Sequence, residues 1–350
     1  MRQMMRLGAR ALRSSVSELR LPYKLTFAVT YRCQLRCGMC NIWRREPLQE
    51  MTGEEIESLF RAMPTFSWIN LSGGEIFLRP DIDRIFDIIT RTCPDLYLLN
   101  FPTNGQETEV IVRSIGSLTG EARIPKLMVT VSMDGPEEVH DRIRSTPGAW
   151  QKALETYRRL REVRSRRFEV YLGMTLQDGN AEAFESMLAA VRERIPGVTQ
   201  RDIHVNVMHT SHYYGNSGCP GVRDRDGILH ALDRIRIARG KAVGPVAFLE
   251  RRFQSAADRY LRTGRSGIPC QALGASLFLD PAGTVYPCTM FDRPLGNLRD
   301  VDLELRRLWQ GGSRQTLRDD IQKGKCPGCW TPCEAYQSIL GDMMPGFRRK

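Results

Sequence analysis

The sequence has no long hydrophobic run: none of its apolar segments approaches the roughly 18 residues that a helix needs to cross a bilayer. It also shows no secretory signal, no low-complexity segment, and no internal repeat beyond alternating strand and helix patterns. The chain has 350 residues, 41% hydrophobic and 26% charged, which is ordinary for a globular protein. We therefore expect one large domain and a smaller one, with a sizeable buried core.

Acidic residues are also in short supply, since 40 Asp and Glu stand against 51 Lys and Arg, for a formal net charge of +11. This excess favours partners that carry phosphates, acidic peptides or an anionic membrane surface, and it does not indicate a fold. Ten cysteines lie in the sequence, most of them in tight groups and without a secretory signal. They argue against a disulfide framework and predict metal sites in a reducing compartment, so we expect a cytoplasmic location.

The first group of cysteines is Cys33, Cys37 and Cys40. Three thiols this close cannot all pair as disulfides, but they can bind one inorganic centre. A structural zinc ion normally takes four protein ligands, and no fourth cysteine or histidine lies nearby in sequence. A four-iron cluster held by three cysteines would leave one iron open for a substrate or cofactor. A zinc knuckle with a distant fourth ligand, or three unrelated buried cysteines, are the alternatives that spacing leaves open.

Short apolar segments at 25–30, 68–71, 96–101, 126–131, 168–176 and 203–209 predict six buried strands. Helical periodicity lies between them, at 52–63, 82–92, after residue 105, at 150–163 and at 181–194. The first of these helices opens with a capping box from Thr52 to Glu55. This alternation predicts parallel βαβ units and an α/β fold. In such folds the chemistry lies at the carboxyl ends of the strands, where the polar segments of this chain also fall.

Four of those segments together resemble the radical SAM superfamily. They are the three-cysteine loop, the SGGE segment at 72–75, the TNG segment at 103–105 and the SMDG segment at 132–135, followed by Arg144. Ile76 stands where the family usually has proline. The resemblance implies a partial (β/α)6 TIM-like barrel with a [4Fe-4S] cluster that binds S-adenosylmethionine. It further implies an enzyme that cleaves this cofactor reductively to a 5′-deoxyadenosyl radical, which abstracts a hydrogen atom from an unidentified substrate.

The resemblance also implies roles for individual residues. Cys33, Cys37 and Cys40 would hold the cluster. Gly73 and Gly74 would let the backbone approach the methionine moiety, and Glu75 would accept a hydrogen bond from its ammonium. Met39 stands where an aromatic residue often faces the adenine, Ser132 would contact ribose or carboxylate, and Arg144 would clamp a carboxylate. The implied cofactor pocket comprises Met39, Ser72, Gly73, Gly74, Glu75, Asn104, Ser132, Asp134 and Arg144.

A second group of cysteines follows a predicted hairpin near the C-terminus. It resembles the auxiliary-cluster domains of the SPASM and shorter Twitch types, and it comprises Cys270, Cys288, Cys326, Cys329 and Cys333. Five cysteines are too few for the two clusters of a full SPASM domain, so we expect one auxiliary [4Fe-4S] cluster. Cys270, Cys288 and Cys326 would be ligands, with either Cys329 or Cys333 as the fourth. A zinc site built by the same cysteines is the alternative.

The predicted organisation has five parts: a basic amphipathic helix at 1–20, the barrel at 21–214, a helical linker at 215–265, the auxiliary-cluster domain at 266–341 and a basic tail at 342–350. On the first helix an apolar face lies apart from the arginines. We expect it either to contact a membrane surface peripherally or to pack across the open side of the barrel. Its apolar face is Met5, Ala9, Leu12, Val16 and Leu19.

The substrate is not indicated by these motifs. A small molecule or lipid is one hypothesis, and a ribosomal peptide that is cross-linked, oxidised or epimerised is another. The segment before the barrel is too short for a winged-helix peptide-recognition domain, which weakens the second. His209, Tyr213 and Cys219 are weak catalytic candidates. We expect an external electron donor such as flavodoxin or ferredoxin. A non-enzymatic zinc or iron–sulfur nucleic-acid-binding protein is the alternative of another class, although we regard nucleic acid as an unlikely partner.

Overall fold

The computed structural model describes residues 1–121, 124–240 and 244–343. Most of the predicted basic tail, residues 344–350, lies outside them. Within the described residues no helix is both long and apolar enough to cross a membrane.

A nine-stranded sheet in the order β6-β5-β4-β3-β2-β1-β7-β8-β9 forms the frame of the molecule. The first seven strands run parallel to their neighbours, and β8 and β9 are antiparallel additions. The strands are β1 Lys24–Thr30, β2 Trp68–Gly73, β3 Leu98–Thr103, β4 Lys126–Ser132, β5 Phe168–Leu176, β6 Ile203–Val207, β7 Ser276–Leu279, β8 Thr284–Tyr286 and β9 Gly296–Asn297.

Twelve α-helices lie in the described residues, and those between β1 and β6 cover the outer face of the sheet. They are α1 Arg2–Val16, α2 Gly53–Ala62, α3 Ile82–Thr92, α4 Thr108–Glu121, α5 Glu137–Arg144, α6 Ala149–Arg161, α7 Phe184–Arg194, α8 Arg225–Arg239, α9 Pro245–Thr263, α10 Leu305–Gln310, α11 Gly312–Gln322 and α12 Pro332–Gly341. The predicted α/β class and partial barrel are confirmed. Helix α5 was not predicted, and several predicted ends are off by two or three residues: β3 begins two residues later and β6 ends two residues earlier than predicted.

The capping box at the start of α2 is present, with Thr52 Oγ1 accepting from the Glu55 backbone N–H at 3.2 Å. The Glu55 carboxylate also accepts two hydrogen bonds from Arg299, from Nε at 2.7 Å and from NH2 at 3.0 Å. This two-point ion pair attaches the C-terminal region to the barrel, because Arg299 lies beyond the hairpin of β7 and β8.

Alternation along the parallel strands separates an outer apolar face from an inner polar one. On β1, Leu25 and Phe27 are fully buried in the main core, whereas Thr26 points to the other face. On β2, Ile69 and Leu71 belong to the same core. The remaining inner positions line the inside of the barrel and include Asn70, Asn100, Thr130, Tyr171, His204 and Asn206.

The C-terminal region closes the barrel rather than standing apart from it. β7 pairs in parallel with β1, so that Lys24 is opposite Ser276. Helix α12 follows behind this strand, and Gln337 Nε2 donates to Ser276 Oγ at 3.1 Å. The segment before α12 contacts the other edge of the sheet, because the Trp330 backbone N–H donates to His209 Nε2 at 3.1 Å, just past β6. The predicted auxiliary domain therefore continues the sheet of the barrel.

Helix α1 packs on the barrel, as one of the two hypotheses proposed, but it lies across the amino ends of the strands rather than across an open side. Leu7 and Ala11 are buried there, and Arg6 and Arg10 both form ion pairs with Asp95. Of the predicted apolar face only Leu19, just past the helix, is buried with them. Its other large members stay exposed, together with two further methionines, and the exposed set is Met1, Met4, Met5, Leu12 and Val16.

The ends of β1 and β2 approach so closely that only glycine fits between them. The Gly74 N–H donates to Thr30 O at 2.9 Å, and the next N–H, of Glu75, donates to Arg32 O at 2.8 Å. A Cβ on Gly73 would lie 2.2 Å from Thr30 O, and a Cβ on Gly74 would lie 2.2 Å from Arg32 O. Gly73 also has φ +145°, which disfavours any side chain. These glycines therefore hold the start of the cysteine loop against β2.

We predict that Gly74→Ala lowers the free energy of unfolding by about 1–3 kcal/mol, because the added methyl overlaps a backbone carbonyl that cannot rotate away. Urea unfolding of the apoprotein measures this. Gly38→Ala is the matched control, since it lies in the same cysteine loop and its Cβ would meet nothing within 4 Å. Equal stability of the two variants would contradict the packing argument.

Candidate active site at the carboxyl rim

The three-cysteine loop leaves β1 and is held by two other parts of the chain. The Gly38 N–H donates to Ile143 O at 3.0 Å, which attaches the loop to α5. The Asn41 N–H donates to Tyr214 O at 2.8 Å, which attaches it to the segment after β6. All three thiols are free of disulfides. The loop thus spans the mouth of the barrel between its first and last parallel strands.

Burial makes Cys33 and Cys40 weak acids in the absence of a metal. It raises the pKa of Cys33 to about 12 and that of Cys40 to about 11. Two donors nevertheless point at the sulfurs: Asn104 Nδ2 lies 3.8 Å from Cys33 Sγ, and Arg144 NH1 lies 3.8 Å from Cys37 Sγ. N–H groups aimed at buried sulfur suit thiolates, which a metal centre would generate.

Glu75 is buried at the end of β2 and joins it to β3. Its carboxylate accepts from Thr103 Oγ1 at 3.0 Å and from the Asn104 backbone N–H at 2.7 Å. Burial outweighs these donors and raises the pKa of Glu75 to about 7. A cation beside this carboxyl would favour its ionised form. The ionised carboxylate would in turn be a suitable partner for the ammonium group of a bound amino acid.

Asp134 and Arg144 form a buried ion pair at the end of β4. Arg144 Nε and NH2 both donate to Asp134 Oδ2, at 2.7 and 2.6 Å. The other carboxylate oxygen accepts the Thr175 N–H at 3.0 Å. Since the same guanidinium reaches Cys37, the pair connects the fourth and fifth strands with the cysteine loop. The carboxylate partner of Arg144 in the structure is therefore an aspartate of the chain.

Three further predicted pocket residues lie at the same rim. Met39 Sδ accepts from Gln177 Nε2 at 3.4 Å. Ser132 ends β4 opposite Gly173 of β5 and is partly exposed. Ser72 Oγ is 2.7 Å from the hydroxyl of Tyr213. The structure thus brings all nine predicted pocket residues to one edge of the sheet.

The weak catalytic candidates occupy different environments. The Tyr213 hydroxyl is buried and also donates to Gly73 O at 3.1 Å, so it supports the end of β2. His209 Nδ1 lies 2.7 Å from Val207 O while its Nε2 accepts from Trp330, and burial lowers its pKa. Both are placed to hold the chain together. Cys219 is exposed in the loop after β6, 3.9 Å from Asn41 Nδ2.

The C-terminal cysteines fall into two environments. Burial raises the pKa of the Cys270, Cys288 and Cys329 thiols, and neighbouring thiols of the same group, including Cys326, raise them further. These four cysteines therefore lie together. Cys333 differs from them in its contacts: its Sγ accepts from Asn70 Nδ2 at 3.8 Å, and burial raises its pKa to about 11 while Lys24 lowers it.

The described residues contain no group of three or more His, Cys, Asp or Glu side chains arranged around a single metal ion. The cysteines are nevertheless gathered in two separate groups, a rim group of three and a C-terminal group of four. Thiolate-only groups of this size suit iron–sulfur clusters, in which each thiolate binds a different iron. The donor sets therefore fit one open cluster at the rim and one auxiliary cluster at the C-terminal end.

Sequence reasoning missed the polar residues inside the barrel. Trp68 Nε1 donates to Asn100 Oδ1 at 2.6 Å, and Asn100 Nδ2 donates to Asn70 Oδ1 at 2.8 Å. The sequence pattern that could have revealed them was present, because Asn70 and Asn100 each stand between two buried apolar residues of their strand. Without knowledge of which face was inside, these side chains looked like ordinary polar positions.

Comparison with known proteins agrees with this arrangement. The family model described as the radical SAM superfamily matches residues 27–191, and the model described as an iron–sulfur cluster-binding domain matches residues 270–330. The first match contains the three-cysteine loop and the rim segments. The second contains the four grouped cysteines and ends before Cys333.

Curated relatives and solved structures extend the likeness over most of the chain. It is 24% identical to the antilisterial bacteriocin subtilosin biosynthesis protein AlbA of Bacillus subtilis, over 93% of this chain and 71% of AlbA. It is 25% identical to the AdoMet-dependent heme synthase of Methanosarcina barkeri, over 88% of each. Streptococcus suis SuiB bound to its precursor peptide SuiA shares the fold, with TM-score 0.60, 15% identity, and coverage of 99% of this chain and 79% of SuiB.

We predict that Glu75 makes stability depend on pH. Its pKa is about 7 in the folded protein against an ordinary 4.5, so the folded state keeps a proton that the unfolded state releases. Wild-type stability relative to Glu75→Gln should therefore fall by about 3 kcal/mol as pH rises through this interval, and should stay level above it. Urea unfolding at several pH values measures the difference.

The control is Glu54→Gln on α2, where Arg84 holds the pKa of the carboxyl below its usual range. This exposed glutamate should give no such fall. A wild-type profile parallel to that of Glu75→Gln would show that the buried carboxyl is not protonated near neutral pH.

Proposed function

Because the chain belongs to the radical SAM superfamily, we propose that it modifies a peptide substrate, by cross-linking, oxidising or epimerising its residues. AlbA, the relative that covers most of this chain, is a bacteriocin biosynthesis protein, and SuiB binds a precursor peptide. These names support a peptide as substrate. The interior of the barrel supports it independently.

The steps that generate the radical, before any reaction with the substrate, are those of the superfamily. The chain is an enzyme with a [4Fe-4S] cluster, S-adenosylmethionine and an auxiliary iron–sulfur cluster. Reductive cleavage of S-adenosylmethionine supplies a 5′-deoxyadenosyl radical that abstracts a hydrogen atom. The alternative of a non-enzymatic metal-binding protein is therefore wrong. An external one-electron donor such as flavodoxin or ferredoxin remains a prediction, and a net charge of +11 favours an acidic partner.

We assign roles to the site residues on this basis. Cys33, Cys37 and Cys40 would ligate the first cluster, with Asn104 and Arg144 donating to two of the sulfurs. The rim residues would bind S-adenosylmethionine, Glu75 taking its ammonium group. For the auxiliary cluster, the grouping of thiols favours Cys329 over Cys333 as the fourth ligand. The proposed auxiliary ligands are Cys270, Cys288, Cys326 and Cys329.

The observation that carries the peptide proposal is the amide-rich inner face of the barrel. Asn70, Asn100 and Asn206 present side-chain amides on β2, β3 and β6, below the rim. Asn70 and Asn100 are bonded to each other, to Trp68 and to Cys333, but among the described residues each amide keeps an N–H hydrogen and a carbonyl lone pair with which it can match a peptide group. The two lysines on the inner face are already engaged: Lys24 donates to Gln337 Oε1 at 2.6 Å, and Lys126 pairs with Glu169.

A small molecule is the second candidate, because the heme synthase matches 88% of this chain. A tetrapyrrole carries several carboxylates and would require cations to bind them. The inner lysines are committed to partners within the chain, so the interior suits a neutral amide substrate better. The activity test described below distinguishes the peptide from the tetrapyrrole.

Peripheral membrane contact through α1 is also proposed. Met5, Leu12 and Val16 form an exposed apolar stripe, and Arg2 and Arg13 are exposed beside it. An apolar stripe flanked by arginines matches an anionic lipid surface, because the apolar side chains can enter the interface while the guanidinium groups pair with the lipid headgroups. The helix is already anchored to the barrel by its other face, so binding need not unfold it.

The substrate proposal is tested with anaerobically reconstituted enzyme, S-adenosylmethionine, a low-potential reductant and a random-sequence peptide library. We expect the peptides to raise 5′-deoxyadenosine formation above the rate with S-adenosylmethionine alone. Some peptides should lose hydrogen in mass spectra if they are cross-linked or oxidised, or yield D-amino acids on hydrolysis if they are epimerised. A parallel reaction receives a carboxylated tetrapyrrole. Stimulation by the tetrapyrrole and not by peptides would overturn the peptide proposal. Cys37→Ala, which removes a proposed ligand, should abolish both responses.

Membrane contact is tested by co-flotation with vesicles. We expect wild-type enzyme to float with vesicles rich in phosphatidylglycerol and not with pure phosphatidylcholine. Leu12→Glu, on the stripe of α1, should lose flotation because a carboxylate cannot enter the interface. Ile237→Glu on α8 is the matched control, since it also replaces an exposed aliphatic side chain. Equal flotation of both variants would contradict contact through α1.

A further inference from the structure

Cys333 differs from the other C-terminal cysteines in its hydrogen-bond environment, and it lies outside the family match that contains them. The match to the iron–sulfur cluster-binding domain covers residues 270–330, and the four grouped thiols lie within it. Cys333 follows, on the first turn of α12. Its sulfur accepts from Asn70 Nδ2 at 3.8 Å, on the inner face of β2. The thiol therefore reaches the inside of the barrel.

The backbone of this turn is fixed inside the barrel. Lys24, at the start of β1, donates through Nζ to both Cys333 O and Gln337 Oε1. Gln337 Nε2 also donates to Cys333 O at 2.8 Å. These bonds attach α12 to β1 and fix the backbone at Cys333. Cys333 is partly exposed, as Asn100 is, so the space around them is accessible from within the barrel.

The hydrogen bonds around Cys333 leave its own hydrogen available. They run in one direction, from Trp68 to Asn100, from Asn100 to Asn70, and from Asn70 to the sulfur. Cys333 is thus the acceptor at the end of the chain. Because the sulfur is used as an acceptor, its S–H hydrogen can point to a ligand.

A neighbouring hydroxyl at the same depth also lacks a partner. Thr26 is fully buried on the inner face of β1, directly opposite Asn70 in the strand register, and its Oγ1 makes no hydrogen bond among the described residues. Buried hydroxyls are normally satisfied, so an unused one opposite Asn70 marks this layer as incompletely hydrogen-bonded. Asn70 lies two residues before Ser72, which puts this layer about 7 Å below the rim.

We propose that Cys333 is not a cluster ligand but a hydrogen-atom donor in the substrate chamber, below the rim that binds S-adenosylmethionine. This inference rests on the proposed function in that the acceptor is a carbon-centred radical on the bound substrate. A peptide whose α-carbon radical receives hydrogen from the face opposite the one that lost it would be epimerised, so the thiol favours epimerisation among the proposed peptide modifications.

The step balances as follows in atoms and electrons. The S–H bond of Cys333 breaks homolytically, a C–H bond forms on the substrate radical, and a thiyl radical remains. One electron from a low-potential reductant, delivered through the iron–sulfur clusters, and one proton from solvent restore the thiol. The four grouped auxiliary thiols are placed for this delivery, because Cys329 is only four residues from Cys333 along the chain.

The test uses holoenzyme and S-adenosylmethionine alone, in D2O, with a low-potential reductant and no added thiol. Without another substrate, the 5′-deoxyadenosyl radical takes its hydrogen from the chamber, where Cys333 has exchanged to S–D. We expect most of the 5′-deoxyadenosine to carry one deuterium. Cys333→Ala should reduce this label to background in the nucleoside that still forms, and Cys333→Ser should do the same, because an O–D bond is too strong to donate.

Iron content gives the second readout. If Cys333 is not a ligand, Cys333→Ser retains about eight irons per chain after reconstitution, whereas Cys329→Ser falls to about four. Loss of four irons in the Cys333 variant would overturn the proposal. So would unchanged deuterium labelling in Cys333→Ala, or a loss of label in Cys219→Ala instead. Cys93→Ala, in the outer core, is the control and should label as wild type does. Because no peptide is used, the outcome does not depend on the proposed substrate class.

Discussion

The structure depends on one close approach, where the end of β2 meets the end of β1. Two consecutive N–H groups, of Gly74 and Glu75, donate to the carbonyls of Thr30 and Arg32, and no side chain fits between them. This contact sets where the cysteine loop begins. It also turns Glu75 inward, to the hydroxyl of Thr103 and the Asn104 N–H. A parallel sheet brings the carboxyl ends of its strands to one edge, and here the glycines make that edge tight enough to act as a rigid rim.

A second constraint joins the rim to the C-terminal cysteines. Because β7 pairs with β1, the strand that starts the cysteine loop also carries the hairpin of the auxiliary domain. Lys24 strengthens this connection at the other end of β1 by binding α12. The two groups of thiols are consequently held by the same strand, and Tyr214 lies between them, its carbonyl accepting from Cys40 Sγ at 3.8 Å. A substrate inside the barrel would therefore lie between two redox centres.

The inner face of the barrel is the surface that such a substrate would meet. Its amides and hydroxyls are suited to hydrogen bonding, and its lysines are bound to other residues. The radical chemistry belongs to the superfamily, whereas in the proposed function selection among substrates would fall to these inner side chains. Helix α1 stands outside this arrangement. It is attached through Arg6, Leu7 and Arg10, and it turns its most apolar stripe toward solvent.

The sequence by itself determined the α/β class, the six βα units, and the chemistry at the rim. Local patterns carry this information, because strand alternation, the Thr52 capping box and the spacing of Cys33, Cys37 and Cys40 involve neighbouring residues. It could not separate Cys333 from Cys329, since spacing does not show which thiol turns into the barrel. Nor could it show that Asn70, Asn100 and Thr26 share one layer, that Arg144 pairs with Asp134, or that α1 exposes its apolar stripe. Only the tertiary structure decided these points, because each depends on contacts between segments far apart in the chain.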